Sequence, residues 1–242
     1  TPDERTPNQK FVNNAVLQLL QHSKSIQEGI ENRKINQWIL NDDYILLLLS
    51  ATKESTIYQN YMEQTTTSFA ADRDFILDLF TEVIAPNEKL YDYLEDLKLT
   101  WVDDIPVVNT FIVKQLTALQ SADQKWKLPK VYKDLEDQEY AQELFIKTVL
   151  NEKEFAGYFS DKTPNWDVDR IAELDTIILK MAICELLRFP SIPVKVTLNE
   201  YLELAKEYST PKSSIFINGI LDNLVKEFQA KNTLQKIGRG LL

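Results

Sequence analysis

Apolar residues return every three or four positions through nearly every segment between the polar breaks, the spacing of helices that bury one face. Strand-like alternation is almost absent. The pattern predicts helices over about 9–22, 25–40, 43–62, 70–85, 87–98, 105–121, 137–150, 152–161, 168–188, 197–208 and 212–229. Two stretches interrupt it as linkers: Thr65-Thr-Thr-Ser68, and the charged segment Lys125–Glu136, which contains Pro129. Within the helix ending at Arg188, Ile171, Leu174, Ile178, Met181 and Glu185 fall on one face. Ile217, Leu221, Leu224 and Phe228 do so in the last helix, and both stripes read as core.

Local chemistry sharpens some of these boundaries. Thr197-Leu-Asn-Glu200 has the form of a capping box, in which Thr and Glu side chains satisfy free amides, so a helix is expected to start at about 197. Thr210-Pro211 places a hydroxyl before a proline whose missing N–H is harmless at a first helical position, and the next helix is expected there. Gly219, inside that last helix, should cost about 1 kcal/mol relative to Ala, and close helix packing is the economical explanation for it.

The chain also echoes itself. Asp72, Leu79, Phe80, Tyr93, Asp96, Trp101 and Asp104 return 65 positions later, at 137, 144, 145, 158, 161, 166 and 169. Thr110-Phe-Ile-Val-Lys114 then matches Thr176-Ile-Ile-Leu-Lys180 at an offset of 66. The spacing suggests a duplicated helical unit over 72–121.

Composition agrees with helix. The chain has 242 residues, 44% of them hydrophobic, enough for a substantial core, and 5 glycines and 9 prolines are too few for a turn-rich β architecture. The expected fold class is all-α. One cysteine, Cys184, excludes an internal disulfide framework and a thiolate zinc cluster and suits a reducing compartment, so a cytoplasmic location is expected. The longest apolar run, Tyr44-Ile-Leu-Leu-Leu-Leu49, is far short of the roughly 20 residues of a membrane span, and no signal peptide is recognisable. Thr1–Pro7 lacks an initiator Met and reads as a polar loop, as in a piece of a longer chain.

A net charge of −10 argues against nucleic-acid binding by bulk electrostatics. The distribution changes that picture. Residues 170–242 hold ten Lys and Arg against eight Asp and Glu, a balance of +2, which leaves −12 on residues 1–169. An anion-binding face is therefore expected in the last third.

Catalytic chemistry is thin. His22 is the single histidine, with no second one to complete a metal site or to activate a Ser or Cys nucleophile, and it reads as a surface or boundary side chain. Gly238-Arg-Gly240 neither follows a strand nor opens a helix, so it is no phosphate-binding loop. Acidic pairs such as Asp42-Asp43 and Asp103-Asp104 are ordinary solvated charge in a chain with 37 carboxylates. A carboxylate site converging only in space stays open as an enzymatic alternative. No enzyme activity, cofactor or metal is expected.

The last third carries a resemblance. Trp166-Asp-Val-Asp-Arg-Ile171 and the run Asp175–Leu187 resemble the central helix of the NusB family. Ile192-Pro-Val-Lys-Val-Thr-Leu-Asn-Glu200, Leu204-Ala-Lys206, Thr210-Pro-Lys-Ser213 and Phe216-Ile-Asn-Gly-Ile-Leu-Asp222 follow its signature in order and spacing. The likeness runs from about Asp137 to Phe228, including Glu143-Leu-Phe145. It implies a NusB-like helical bundle over 137–229, preceded by an acidic, enlarged helical region over 1–136 and followed by a basic tail over 230–242. The sequence departs from the family in that longer, more acidic N-terminal part. It also lacks an arginine-rich opening helix: Arg5 stands alone, and the next arginines are Arg33 and Arg73.

The resemblance implies a transcription antitermination factor for rRNA synthesis. Such a protein binds single-stranded boxA RNA of rRNA leaders with the small-subunit ribosomal protein NusE and joins the transcription elongation complex, with no membrane involvement. The basic partner would supply positive surface that this acidic chain lacks. RNA-contacting residues implied by the motif are Phe216, for stacking on a base, and Lys212, Lys195 and Lys206, for phosphate. Lys212 and Glu200 are implied to face the partner. The bland alternatives are a core Phe216 packed on Leu202 or Tyr208 and ordinary surface lysines. Asn199, Glu200, Asn218 and Asp222 read mainly as caps and inter-helix hydrogen bonds. Lys236 and Arg239 suggest nonspecific RNA contact from the tail, or disorder. The alternative function is a protein-interaction module that binds NusE with little RNA affinity. A more remote one is the NusB-like accessory domain of an rRNA cytosine methyltransferase.

Overall fold

The computed structural model describes residues 8–160 and 172–238. Trp166, Ile171 and Arg239, singled out above, lie outside the described residues, as does part of the predicted helix 168–188. Among the described residues the chain is all-α, with no strand. It divides into two compact units, one up to Lys130 and one from Val131.

The first unit contains α1 (Ala15–Gln21), α2 (Lys24–Arg33), α3 (Gln37–Leu40), α4 (Asp42–Glu54), α5 (Thr56–Glu63), α6 (Phe69–Leu79), α7 (Glu88–Leu97) and α8 (Trp101–Ala118). Its core is Val16, Leu19, Tyr61, Phe75, Ile76, Leu79, Leu116, Leu119 and Trp126, with α6 packed between α1, α5 and α8. Asn14 caps α1 by accepting from the amides of Val16 at 2.9 Å and Leu17 at 3.2 Å, and so replaces the predicted start near residue 9. The amide of Asn14 donates to Tyr61 Oη and to the carbonyl of Asp72, each at 3.1 Å, while Asp72 accepts from Tyr61 at 2.7 Å and from the Ala15 amide at 2.8 Å. One buried polar cluster thus ties α1, α5 and α6 together. Burial first, and then the bond to Asp72, push the Tyr61 hydroxyl up to about 12.

Three predicted helices are broken or extended. The stretch 25–40 breaks because Lys34 adopts a left-handed conformation, φ 52°, which ends α2 with Ile35 N–H bonded to the Ile30 carbonyl at 3.0 Å. The stretch 43–62 breaks at Ser55, extended at ψ 143°, whose hydroxyl donates to Thr52 O at 2.7 Å and accepts from Tyr58 N–H at 3.1 Å. The helix expected from 105 begins instead at Trp101 and runs through Pro106. A proline cannot donate to the carbonyl four residues back, and the hydroxyl of Tyr91 reaches that carbonyl, Val102 O, at 3.3 Å. After α6 the chain continues as one π turn, Phe80–Ile84, marked by Ala85 N–H to Phe80 O at 2.8 Å.

The second unit contains α9 (Leu135–Leu150), α10 (Glu152–Ser160), α11 (Glu173–Arg188), α12 (Val194–Tyr208) and α13 (Ser213–Ala230). Helix α11 is its axis: the other four all pack on it. Eight of its residues are buried, among them Ile178, Leu179, Ala182, Ile183 and Leu186, against Phe155, Tyr201, Ile217, Leu221, Leu224 and Phe228. The stripe predicted for the last helix is the buried face of α13.

The predicted 65-residue offset relates α6 to α9 and α7 to α10. Leu79 and Leu144 are both buried, whereas Asp72 is buried and its counterpart Asp137 is exposed.

Candidate functional site

The motif-bearing residues lie on α12, α13 and the loop between them, and two local expectations about this region are corrected. Helix α12 starts at Val194, with Pro193 before it, not at a Thr197 cap. Thr197 is wholly buried inside the helix, its hydroxyl turned back to the Pro193 carbonyl at 3.4 Å, and Glu200 is exposed. Burial of the threonine methyl against the core outweighs capping here. Helix α13 likewise starts at Ser213, with Lys212 in the cap position, so Pro211 precedes the helix by two residues.

A hydroxyl network ties the loop between α12 and α13 to α11. Asp175, 5% exposed on α11, accepts from Ser213 Oγ at 2.8 Å and from Ser209 Oγ at 2.5 Å. Ser213 also bonds Ser209 and Thr210, each at 2.9 Å. A buried carboxylate satisfied by hydroxyls therefore clamps both ends of the 209–213 loop to α11. The exposed Lys212 stands on this clamped loop.

One turn further on, Phe216 is half-buried against the core, with part of its ring left accessible. Lys195, in the first turn of α12, is exposed. Lys206, in its last turn, is exposed and pairs with Glu203 at 2.6 Å, which offsets part of its charge.

Between α12 and α13 lies a shallow cleft of about 330 Å3 lined by Asn199, Leu202, Glu203, Lys206, Ser214, Ile215 and Asn218. Of the lysines expected at the site, this cleft gathers Lys206; Lys195, Lys212, Phe216 and Glu200 do not line it. Asn199 and Asn218, read from sequence as mainly structural, both face the cleft, beside an Ile215 that is 76% exposed. The signal for Asn199 was present: Asn199, Glu203 and Lys206 recur at i, i+4 and i+7, one polar face of a helix.

Behind the motif helices, Glu185 is buried and accepts hydrogen bonds from Tyr140 and, at 3.4 Å, from Tyr201. Burial, followed by contact with Glu185, holds both tyrosine hydroxyls above their ordinary range. The tail residue Lys236 is half-buried and donates to the carbonyls of Phe189 at 3.0 Å and Glu185 at 3.5 Å, capping the end of α11. Its burial lowers the ammonium from its usual range.

His22 is exposed, with Nδ1 on the Gln18 carbonyl at 2.8 Å. Among the described residues no group of three or more His, Cys, Asp or Glu is placed to hold a metal, and no helix is long and apolar enough to cross a membrane.

Comparison with known proteins bears on the same region. The NusB family profile matches residues 110–226. The chain is 38% identical over 109 residues to the transcription antitermination protein NusB of Salinibacter ruber, covering 45% of this chain and 68% of that protein. To the protein of the same name from Chloroherpeton thalassium it is 36% identical over 112 residues, 46% of this chain and 53% of the relative. To that from Natranaerobius thermophilus it is 39% identical over 89 residues, 37% of this chain and 64% of the relative. No solved structure matches the chain.

Proposed function

This chain belongs to the NusB family, and on that premise we propose that it is an RNA-binding transcription antitermination factor. It acts on boxA-type single-stranded RNA of rRNA leaders together with the ribosomal protein NusE. The observation that carries this reading is the match to proteins named for transcription antitermination, together with the family profile over residues 110–226, the stretch that holds α11, α12 and most of α13. The chemistry of that stretch supports it. Lys212 on a clamped loop and Lys195 offer ammonium groups to phosphate, and Phe216 offers a ring only partly buried against the core. With an excess of only +2 over residues 170–242, the affinity of the chain alone is expected to be modest, and a basic partner supplies the rest of the positive surface.

The charge of −12 on residues 1–169 favours one second reading, an interaction module that binds NusE with little RNA selectivity. The test is binding of labelled boxA RNA and a scrambled control at fixed salt, with and without NusE. Selective binding that requires NusE, falls on Phe216→Ala, and loses about one unit of salt slope on Lys212→Ala supports the factor. Equal affinity for the two RNAs under all conditions leaves the interaction module.

A further inference from the structure

Helix α4 lines a groove in the first unit, in a part of the chain that the family profile, matching residues 110–226, does not reach. Two adjoining hollows of about 550 and 300 Å3 run between α4 and the segment formed by the π turn and α7, and they share Leu47 and Lys89. Leu47, Ala51 and Val83 give the groove an apolar lining, and Leu46, next to Leu47 on α4, is 62% exposed. On α4, Asp43, Leu47, Ser50 and Glu54 recur at i, i+4, i+7 and i+11, one face that spans roughly 16 Å.

The rims are acidic. Asp43 and Glu54 stand on the α4 side, and Glu82, Glu88 and Asp92 come from the π turn and α7, against one lining cation, Lys89. All five carboxylates are exposed, and no Lys or Arg of the described residues pairs with any of them, whereas Glu143, Glu152, Glu154, Glu203 and Glu227 in the second unit each hold a cation. The five are strung along the groove and do not converge: among the described residues no group of three or more His, Cys, Asp or Glu is placed to hold a metal. Unpaired charge of one sign along an apolar channel repels nucleic acid and suits an elongated polycation with an apolar side.

We propose that this groove docks a basic amphipathic helix of a partner protein. The apolar stripe of that helix packs on Leu47, Ala51 and Val83, and its Lys or Arg side chains meet Asp43 and Glu54 on one edge and Glu82, Glu88 and Asp92 on the other. A segment of about 11 residues, or three turns, matches the length of the α4 face. Apolar burial supplies affinity, while the two charged edges set orientation and choice of partner. The groove shares no residue with the RNA face proposed on α12 and α13, and its test needs no RNA.

The experiment follows fluorescence anisotropy of a labelled helical peptide of about 14 residues at fixed salt, with Leu along one face and Lys on both flanks. One control peptide carries Glu in place of every Lys, and another keeps the composition with the Leu face scrambled. Saturable one-to-one binding of the Lys peptide is expected, about tenfold tighter than the scrambled one and absent with Glu. Glu54→Gln with Glu82→Gln should weaken it about fivefold, while Glu136→Gln with Glu139→Gln, an equal change of charge in the second unit, should leave it within about twofold. All four side chains are exposed, so neither double variant puts the fold at stake. No saturable binding, equal affinity for the Lys and scrambled peptides, or equal losses in the two double variants would overturn the proposal. So would self-association of the chain, seen by sedimentation and abolished by Glu54→Gln with Glu82→Gln, because a second copy would then fill the groove.

Discussion

Gly219 is exposed at mid-helix in α13, and a methyl group added there would meet nothing within 4 Å. The close packing that its sequence position suggested is absent. Gly219→Ala is therefore expected to raise stability by about 1 kcal/mol, seen as a higher urea midpoint at unchanged slope. An unchanged or lower midpoint would show a cost that the surroundings of the residue do not reveal. Gly29 differs: an added Cβ would lie 2.8 Å from Leu128 Cδ1, so the end of that exposed side chain would have to shift to admit it. Cys184 is wholly enclosed, and burial raises its thiol above the ordinary range, which fits packing and not reactivity.

At the scale of elements, the junction between α12 and α13 is tied to α11 through Asp175. Read along the chain, Thr197 and Thr210 have the side chains of caps. In the folded chain one is enclosed, and the other joins a hydroxyl relay centred on a carboxylate from α11. Asp175→Ala removes the acceptor of the buried Ser213 hydroxyl and the half-buried Ser209 hydroxyl and should cost about 2 kcal/mol, read by thermal unfolding. The same substitution should also loosen the loop that presents Lys212. A loss as small as that of an exposed Asp→Ala control would mean that the relay contributes little. Helix α8 makes a related point, since Pro106 is tolerated inside it with Tyr91 bonded to the carbonyl that proline cannot serve.

Each unit of the whole molecule buries tyrosine beside carboxylate: Tyr61 with Asp72 in the first, Tyr201 with Glu185 in the second. The neutral, protonated hydroxyl is the form that the fold favours, so the folded value lies above the unfolded one. The resulting stability is complete below about pH 10, the unfolded value, and is lost as pH rises through the folded one, about 12 for Tyr61. Urea midpoints should therefore hold steady to about pH 10 and fall above it, with a smaller fall in Tyr61→Phe. Absorbance at alkaline pH should show buried tyrosines ionising together with unfolding. A midpoint flat to pH 12, or an identical fall in Tyr61→Phe, would remove the argument.

The sequence by itself determined the helical class, the buried stripe of α13 and the family resemblance of the last third. These rest on periodicity and on motifs that are local in the chain, and local spacing survives without knowledge of neighbours. It also placed an excess of positive charge in that third. What only the tertiary structure decided depends on partners distant in sequence: that α2 and α4 stop early, that Thr197 is enclosed, that Asp175 clamps the loop carrying Lys212, and that Lys236 caps α11. The cleft joining Asn199 to Asn218 and the groove along α4 belong with these. Residues of similar local character take different roles there, because burial and hydrogen-bond satisfaction are set by what folds against them and not by what stands next to them in the chain.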